Sequence, residues 1–243
     1  MDAAFTLTHR YRGPFVEGKH YGHGGYFCGM VAQLAPGLPA LAIKTWVPLE
    51  RELTVQVSTG RVTVSDGAVK IADSEVWGTP LPVTVPGPVS LDEARAGEDR
   101  FEGFMRHPSP ECFAWGHERA AGDGLCIFTG AVGTPVNGEK QLAGVCGPDP
   151  SCLDADGYVR PEIVWAALDC PGGWAIPKED VGYRDDCSPG HEHGPNSRGS
   201  PRDRSRVDPG TDRSLREEPK GGIRARRSGW SRVCPWLRHL VPG

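Results

Sequence analysis

The chain has 243 residues, a formal net charge of −4 and a pI near 6.1. That balance gives no whole-chain reason to expect nucleic acid or an acidic membrane as partner. The first residues lack the apolar run of a secretory signal, and no stretch approaches the roughly 20 apolar residues of a membrane span, so a cytoplasmic protein is expected. The eight cysteines are scattered beside apolar neighbours and read as small core residues or free thiols of a reducing compartment.

In chain order, residues 5–11 alternate well enough for a first strand, ended at Arg12-Gly13-Pro14-Phe15. A polar loop, Glu17-Gly18-Lys19-His20, leads into 21–35, around which the rest is organised. There His23-Gly24-Gly25 opens into an apolar segment in which Tyr26, Phe27, Met30, Val31 and Leu34 recur at helical spacings. Gly29 in its middle costs about 1 kcal/mol against Ala, which points to a neighbour packed close to the backbone. Gly24 and Gly25 leave backbone N–H groups uncovered by side chains at the positive helix end, where a carbonyl oxygen or an anion binds. The segments 41–47, 53–57, 61–64 and 68–72 mostly alternate apolar and polar residues, the period of half-buried strands. Ser58-Thr59-Gly60 and Ser65-Asp66-Gly67 separate them as hairpin turns. A further edge strand is expected at Val83-Thr84-Val85.

A buried helix followed by an antiparallel meander suggests an α+β fold with a sheet curled around a helix. On His23-Gly24-Gly25, the apolar helix and Trp46-Val47-Pro48-Leu49, the stretch resembles the hot-dog fold of acyl-CoA thioesterases and related hydratases. The bounds expected for this unit are 1–88.

A linker over 89–102 carries a short helix from Ser90, with Glu93 completing a capping box. A second unit, 103–177, contains Cys112-Phe113-Ala114-Trp115-Gly116, strands at 125–128 and 141–146, and a buried helix from Val159 to Cys170. Pro161 and Glu162 suit its first turn, and Pro171 is expected to end it. On Cys112-Phe113, Gly124-Leu125 and 165–174 (WAALDCPGGW), this unit resembles the second half of actinobacterial-type double hot-dog thioesterase-like proteins. Trp115 stands where the resembled element has a second cysteine. The strands that should wrap the second helix are missing, because 178–243 is rich in Arg, Asp, Ser, Pro and Gly without periodicity. It reads as a disordered tail, with a frameshifted end as its proposed origin and a short apolar helix at 230–241.

Thioester hydrolysis needs a polarised carbonyl and a group that activates water. Gly24 and Gly25 could supply the first, or merely allow a tight turn. His23 could orient substrate or water, or cap the helix. Gln33 could orient water but is no base, and Tyr26 with Gln33 forms the expected substrate-binding face. Asp169, seven residues after Glu162 on the second helix, is the expected base; its other reading is a cap on the Pro-Gly-Gly turn. Asp149, Asp154 and Asp156 lack EF-hand spacing and read as a solvated turn. His191-Glu192-His193 reads as incidental, and Arg198 to Arg227 as solvated charge; no phosphate-loop or dinucleotide fingerprint occurs. No metal and no cofactor are expected.

The expectation is an acyl-CoA thioesterase-like protein, its acyl chain between the two helices. The alternatives are a non-catalytic acyl-thioester binder, a hydratase-like protein, or an inactive truncated product. Partners are acyl-CoA or another acyl thioester and, in a homo-oligomer, further copies of the chain.

Overall fold

The computed structural model describes residues 2–34, 40–59, 61–75, 87–120, 122–136 and 139–175. The expected edge strand at Val83-Thr84-Val85, the tail from 178, the helix at 230–241, His191-Glu192-His193 and the Arg-rich stretch lie outside them. Among the described residues no helix is long and apolar enough to cross a membrane.

The fold is α+β. Its main sheet takes β1 (Asp2–Thr6), β4 (Ala40–Ile43), β5 (Glu52–Ser58), β6 (Arg61–Asp66) and β7 (Val69–Glu75) in the order β1-β5-β6-β7-β4, every pair antiparallel. The alternation read from the sequence sets the faces: Leu53 and Val55 of β5 and Val62 and Val64 of β6 are buried, while Glu52 and Gln56 are exposed. Opposite residues pair in kind, Phe5 with Leu53 and Val55 with Val64.

The N-terminal segment departs from expectation. The first strand covers Asp2–Thr6 rather than 5–11, and His9–Tyr11 form a 3-10 turn. The supposed terminator and polar loop are a hairpin, β2 (Arg12–Val16) against β3 (Lys19–Gly22). Its turn holds both Glu17 (φ 51°) and Gly18 (φ 77°) in the left-handed region, the geometry of a tight two-residue hairpin loop.

Helix α1 (Gly24–Leu34) follows directly, with Phe27 and Val31 completely buried. It packs on α3 (Pro161–Ala175). The contact explains Gly29: a Cβ there would lie 2.6 Å from Glu162 Cα, and one on Gly25 would lie 2.7 Å from the Trp165 carbonyl. The two glycines, four residues apart on one face, let the helix backbones touch. Leu7, Phe27, Val55, Val64, Phe113, Leu125, Ile163 and Ala166 belong to one continuous core, so the sheet, α1 and α3 share their apolar interior.

Helix α2 (Leu91–Glu98) begins with the expected capping box: Ser90 Oγ accepts the Glu93 N–H, and the Glu93 carboxylate accepts the Ser90 N–H. It packs on the hairpin of β8 (Gly130–Val136) and β9 (Glu139–Ala143). Residues 125–128 are not a ladder strand. Cys126 turns the chain with φ 49°, Leu125 and Ile127 are buried, and their N–H groups donate to the Phe113 and Ala114 carbonyls at 2.8 and 2.9 Å. The expected strand at 141–146 is β9, shifted towards the N-terminus.

Pro171 does not end α3. Proline removes one N–H bond and crowds the preceding turn, but the turn beyond it is anchored by Trp174. That ring packs 5.1 Å from Phe101 and 5.3 Å from Trp115, and the helix continues through Gly172 and Gly173 to Ala175.

Candidate functional site

The site lies where the start of α1 meets the second half of α3. A helix beginning with two glycines has no side chain of its own to satisfy its first N–H groups. Two residues from elsewhere do so. His23, immediately before the helix, accepts the Tyr26 N–H on Nδ1 at 3.2 Å, and its carbonyl takes the first helical bond, from Phe27, at 3.0 Å. The capping reading of His23 is therefore realised. Asp169 Oδ2 accepts the Gly25 N–H at 2.9 Å across 144 residues of sequence. Asp169 thus caps α1, not the Pro-Gly-Gly turn, and its negative charge sits at the positive end of the α1 dipole.

The Asp169 side chain is 50 % exposed, whereas His23 is 2 % exposed and its Nδ1 lies 4.0 Å from Asp169 Oδ2. The carboxylate therefore faces solvent over a closed floor. Gly24, half-buried, lies between that carboxylate and Ile43, each 3.5 Å from where its Cβ would be. Beyond Ile43, Trp46 stacks on Tyr21 at 5.5 Å and is half exposed. An apolar shelf of Ile43, Trp46 and Tyr21 thus belongs to the same end of the molecule as the capped helix start.

Below the floor, three soft donors converge. His23 Nε2 lies 3.0 Å from Cys170 Sγ, which lies 3.9 Å from Cys112 Sγ. All three residues are buried, and Phe113 closes the group with its ring 6.3 Å from that of His23. Burial pushes the Cys112 thiol up, but the hydrogen bond from Cys170 and the charge of His23 outweigh it and hold Cys112 well below the ordinary thiol value. Burial, the hydrogen bond to Cys112 and its charge push Cys170 well above that value. For His23, burial acts downwards, and the Cys112 thiolate overrides it and raises the imidazole. The Tyr26 N–H works against full protonation, because it needs a bare Nδ1.

The other expected site residues are elsewhere. Tyr26 is buried with its ring stacked 3.7 Å on Tyr11, so it is a core residue, and burial raises its hydroxyl above the usual value. Gln33 Nε2 donates to Glu162 Oε2 at 2.9 Å and to the Gly29 carbonyl. It stands nine residues along α1 from Gly24, about 13 Å at the helical rise, so it does not reach Asp169. Glu162, buried at the start of α3, is held by Gln33 and by Arg160 at 3.4 Å.

Cys112 and Cys170 are the site residues that sequence reasoning missed. Cys170 adjoins Asp169, but no spacing motif links it to Cys112 or His23, which are 58 and 147 residues away. Compared with family models, with curated proteins and with solved structures, the chain gives no match.

Proposed function

We propose that the protein handles acyl thioesters, as an acyl-CoA thioesterase of the hot-dog class working in the reducing cytoplasm. Two features of the fold support the class. With the β2–β3 hairpin set aside, a buried helix joins the two edge strands of the sheet, β1 and β4, and the remaining three strands form a meander between them. A second buried helix, α3, lies against the first.

The observation that carries the chemistry is the half-exposed Asp169 carboxylate at the glycine-only start of α1. Oδ2 is fixed by the Gly25 N–H, and Oδ1 is the oxygen left to hold a water. In the reaction, that water attacks the thioester carbonyl carbon while Asp169 takes its proton. The carbonyl oxygen gathers charge at the Gly24–Gly25 turn, where the Gly24 N–H and the helix dipole stabilise it. The C–S bond then breaks, and the proton passes to the leaving thiolate, giving a carboxylic acid and a free thiol. The acyl chain cannot lie between α1 and α3, because Gly25 and Gly29 bring their backbones into contact. The apolar shelf of Ile43 and Trp46 takes that role.

A second reading, binding without turnover, is favoured by one fact: the Gly25 N–H is already bonded to Asp169. Replacing Asp169 by Asn separates the two. For a base, thiol release from acyl-CoA falls about 10²–10⁴-fold while acyl-CoA binding persists. For a binder, the wild-type chain binds acyl-CoA and releases no thiol.

A further inference from the structure

Beneath the proposed thioester site, the geometry points to a second function for the buried cluster: we propose that His23, Cys112 and Cys170 bind a thiophilic divalent metal ion of the zinc class. The inference stands apart from the thioester reading and uses none of its residues as a base.

The donors come from three parts of the fold. His23 ends the β3–α1 junction, Cys112 precedes the buried Phe113-Ala114 segment, and Cys170 lies on α3. Their ligand atoms all fall within 4.8 Å of one another. A tetrahedral zinc ion has Zn–S near 2.3 Å and Zn–N near 2.0–2.1 Å, which places two sulfurs about 3.8 Å apart and a sulfur and nitrogen about 3.5 Å apart. The observed Cys112–Cys170 separation of 3.9 Å already matches, and the His23–Cys170 separation of 3.0 Å must open by about half an ångström. Two sulfurs and an imidazole select a soft or borderline ion over magnesium or calcium. Three protein donors leave one tetrahedral position for water or another ligand.

A metal-bound histidine calls for an acceptor at its second ring nitrogen. An ion on Nε2 obliges the imidazole to carry its remaining proton on Nδ1. There the nearest carboxylate is Asp169, 4.0 Å away, and the Tyr26 N–H must give up its present bond. Loading the ion would therefore shift the start of α1 as well as the cluster.

The test is metal content. The full chain is purified from zinc-supplemented medium, dialysed against a weak chelator, and measured by plasma mass spectrometry. Cobalt(II) is then added to metal-stripped protein. The expected result is about one equivalent of zinc per chain, with a thiolate-to-cobalt charge-transfer band and displaced Gly25 and Tyr26 amide resonances. Cys112→Ser and Cys170→Ser each abolish the band, while Cys126→Ser and the His191→Ala/His193→Ala double variant retain it. Should the serine variants fold poorly, cobalt–sulfur scattering in the X-ray absorption of the wild-type protein gives the answer directly. Two outcomes overturn the proposal: a wild-type chain that takes up neither ion, or an ion lost on replacing His191 and His193 but kept without Cys112 and Cys170.

Discussion

The sheet region and the region after residue 100 are held together by different means. In the sheet, period-two alternation buries Leu53, Val55, Val62 and Val64 on one face, and the ladder satisfies the backbone. Among the described residues between 105 and 129, none lies in a strand or an α-helix. Side chains share that work with scattered backbone bonds, such as those from Leu125 and Ile127 to Phe113 and Ala114. Arg119 donates to the carbonyls of Glu111 (2.7 Å), Arg10 (2.5 Å) and Asp123 (2.8 Å) and pairs with the Asp123 carboxylate at 3.1 Å. Phe101, Trp115 and Trp174 pack around His107, and Phe104 and Phe128 extend this aromatic cluster from Phe101. A repeating ladder spreads its stability over many equivalent bonds, whereas an irregular segment concentrates it in a few residues. Single substitutions should therefore cost more after residue 100 than in the sheet.

The sharpest break of that contrast is Arg119→Met. It leaves three carbonyls without their donor and Asp123 with only the more distant Arg12, at 3.8 Å, and the expected loss is about 3–5 kcal/mol in urea unfolding. A loss no larger than that of a sheet valine trimmed to alanine would erase the distinction. Next comes the seam joining the two regions. Gly29→Ala drives a methyl to within 2.6 Å of the Glu162 backbone, and about 1–3 kcal/mol should be lost as the helices separate. Smaller again is Ser90→Ala, which removes the cap of α2 for about 1 kcal/mol; unchanged unfolding would mean that α2 is held by β8 and β9 alone.

His107 gives a pH test of the aromatic cluster. Burial, aided by the charge of His117, lowers its pKa to about 4. Its neutral form accepts the Ser109 N–H on Nδ1 and donates from Nε2 to the Trp115 carbonyl. The unfolded chain, with an ordinary histidine near 6.5, takes up the proton first. The stability His107 contributes is thus present above about pH 6.5 and is lost as pH falls towards about 4. In His107→Gln the fall over that window should be shallower than in the wild type; identical slopes would remove His107 from the account.

Much of the first region is legible in the sequence because local pattern and tertiary role agree. Helix α1 follows from its apolar spacing and glycine start, the meander from alternation, and α2 from its Ser90/Glu93 box. The hairpin β2–β3 was not legible, because Glu17 adopts a left-handed conformation that its residue type does not advertise. In β8, Gly133 at φ 63° and Pro135 interrupt the alternation, and the pairing is irregular there. The run of α3 past Pro171 depends on Trp174, a tertiary anchor. Of the site, Asp169, Gly25 and His23 carried recognisable chemistry, but their meeting, and that of Cys112 with Cys170, arises only from packing α1 on α3.

The most direct test of the central claim is a titration of isotope-labelled protein with a non-hydrolysable thioether analogue of acyl-CoA, followed by backbone amide resonances. If the start of α1 is the thioester site, the largest shifts fall on Gly24 and Gly25, with Ile43 and Trp46 next, and they vanish when Asp169 and Trp46 are replaced together. Shifts confined to the β8–β9 hairpin, or no shifts at saturating analogue, would contradict it.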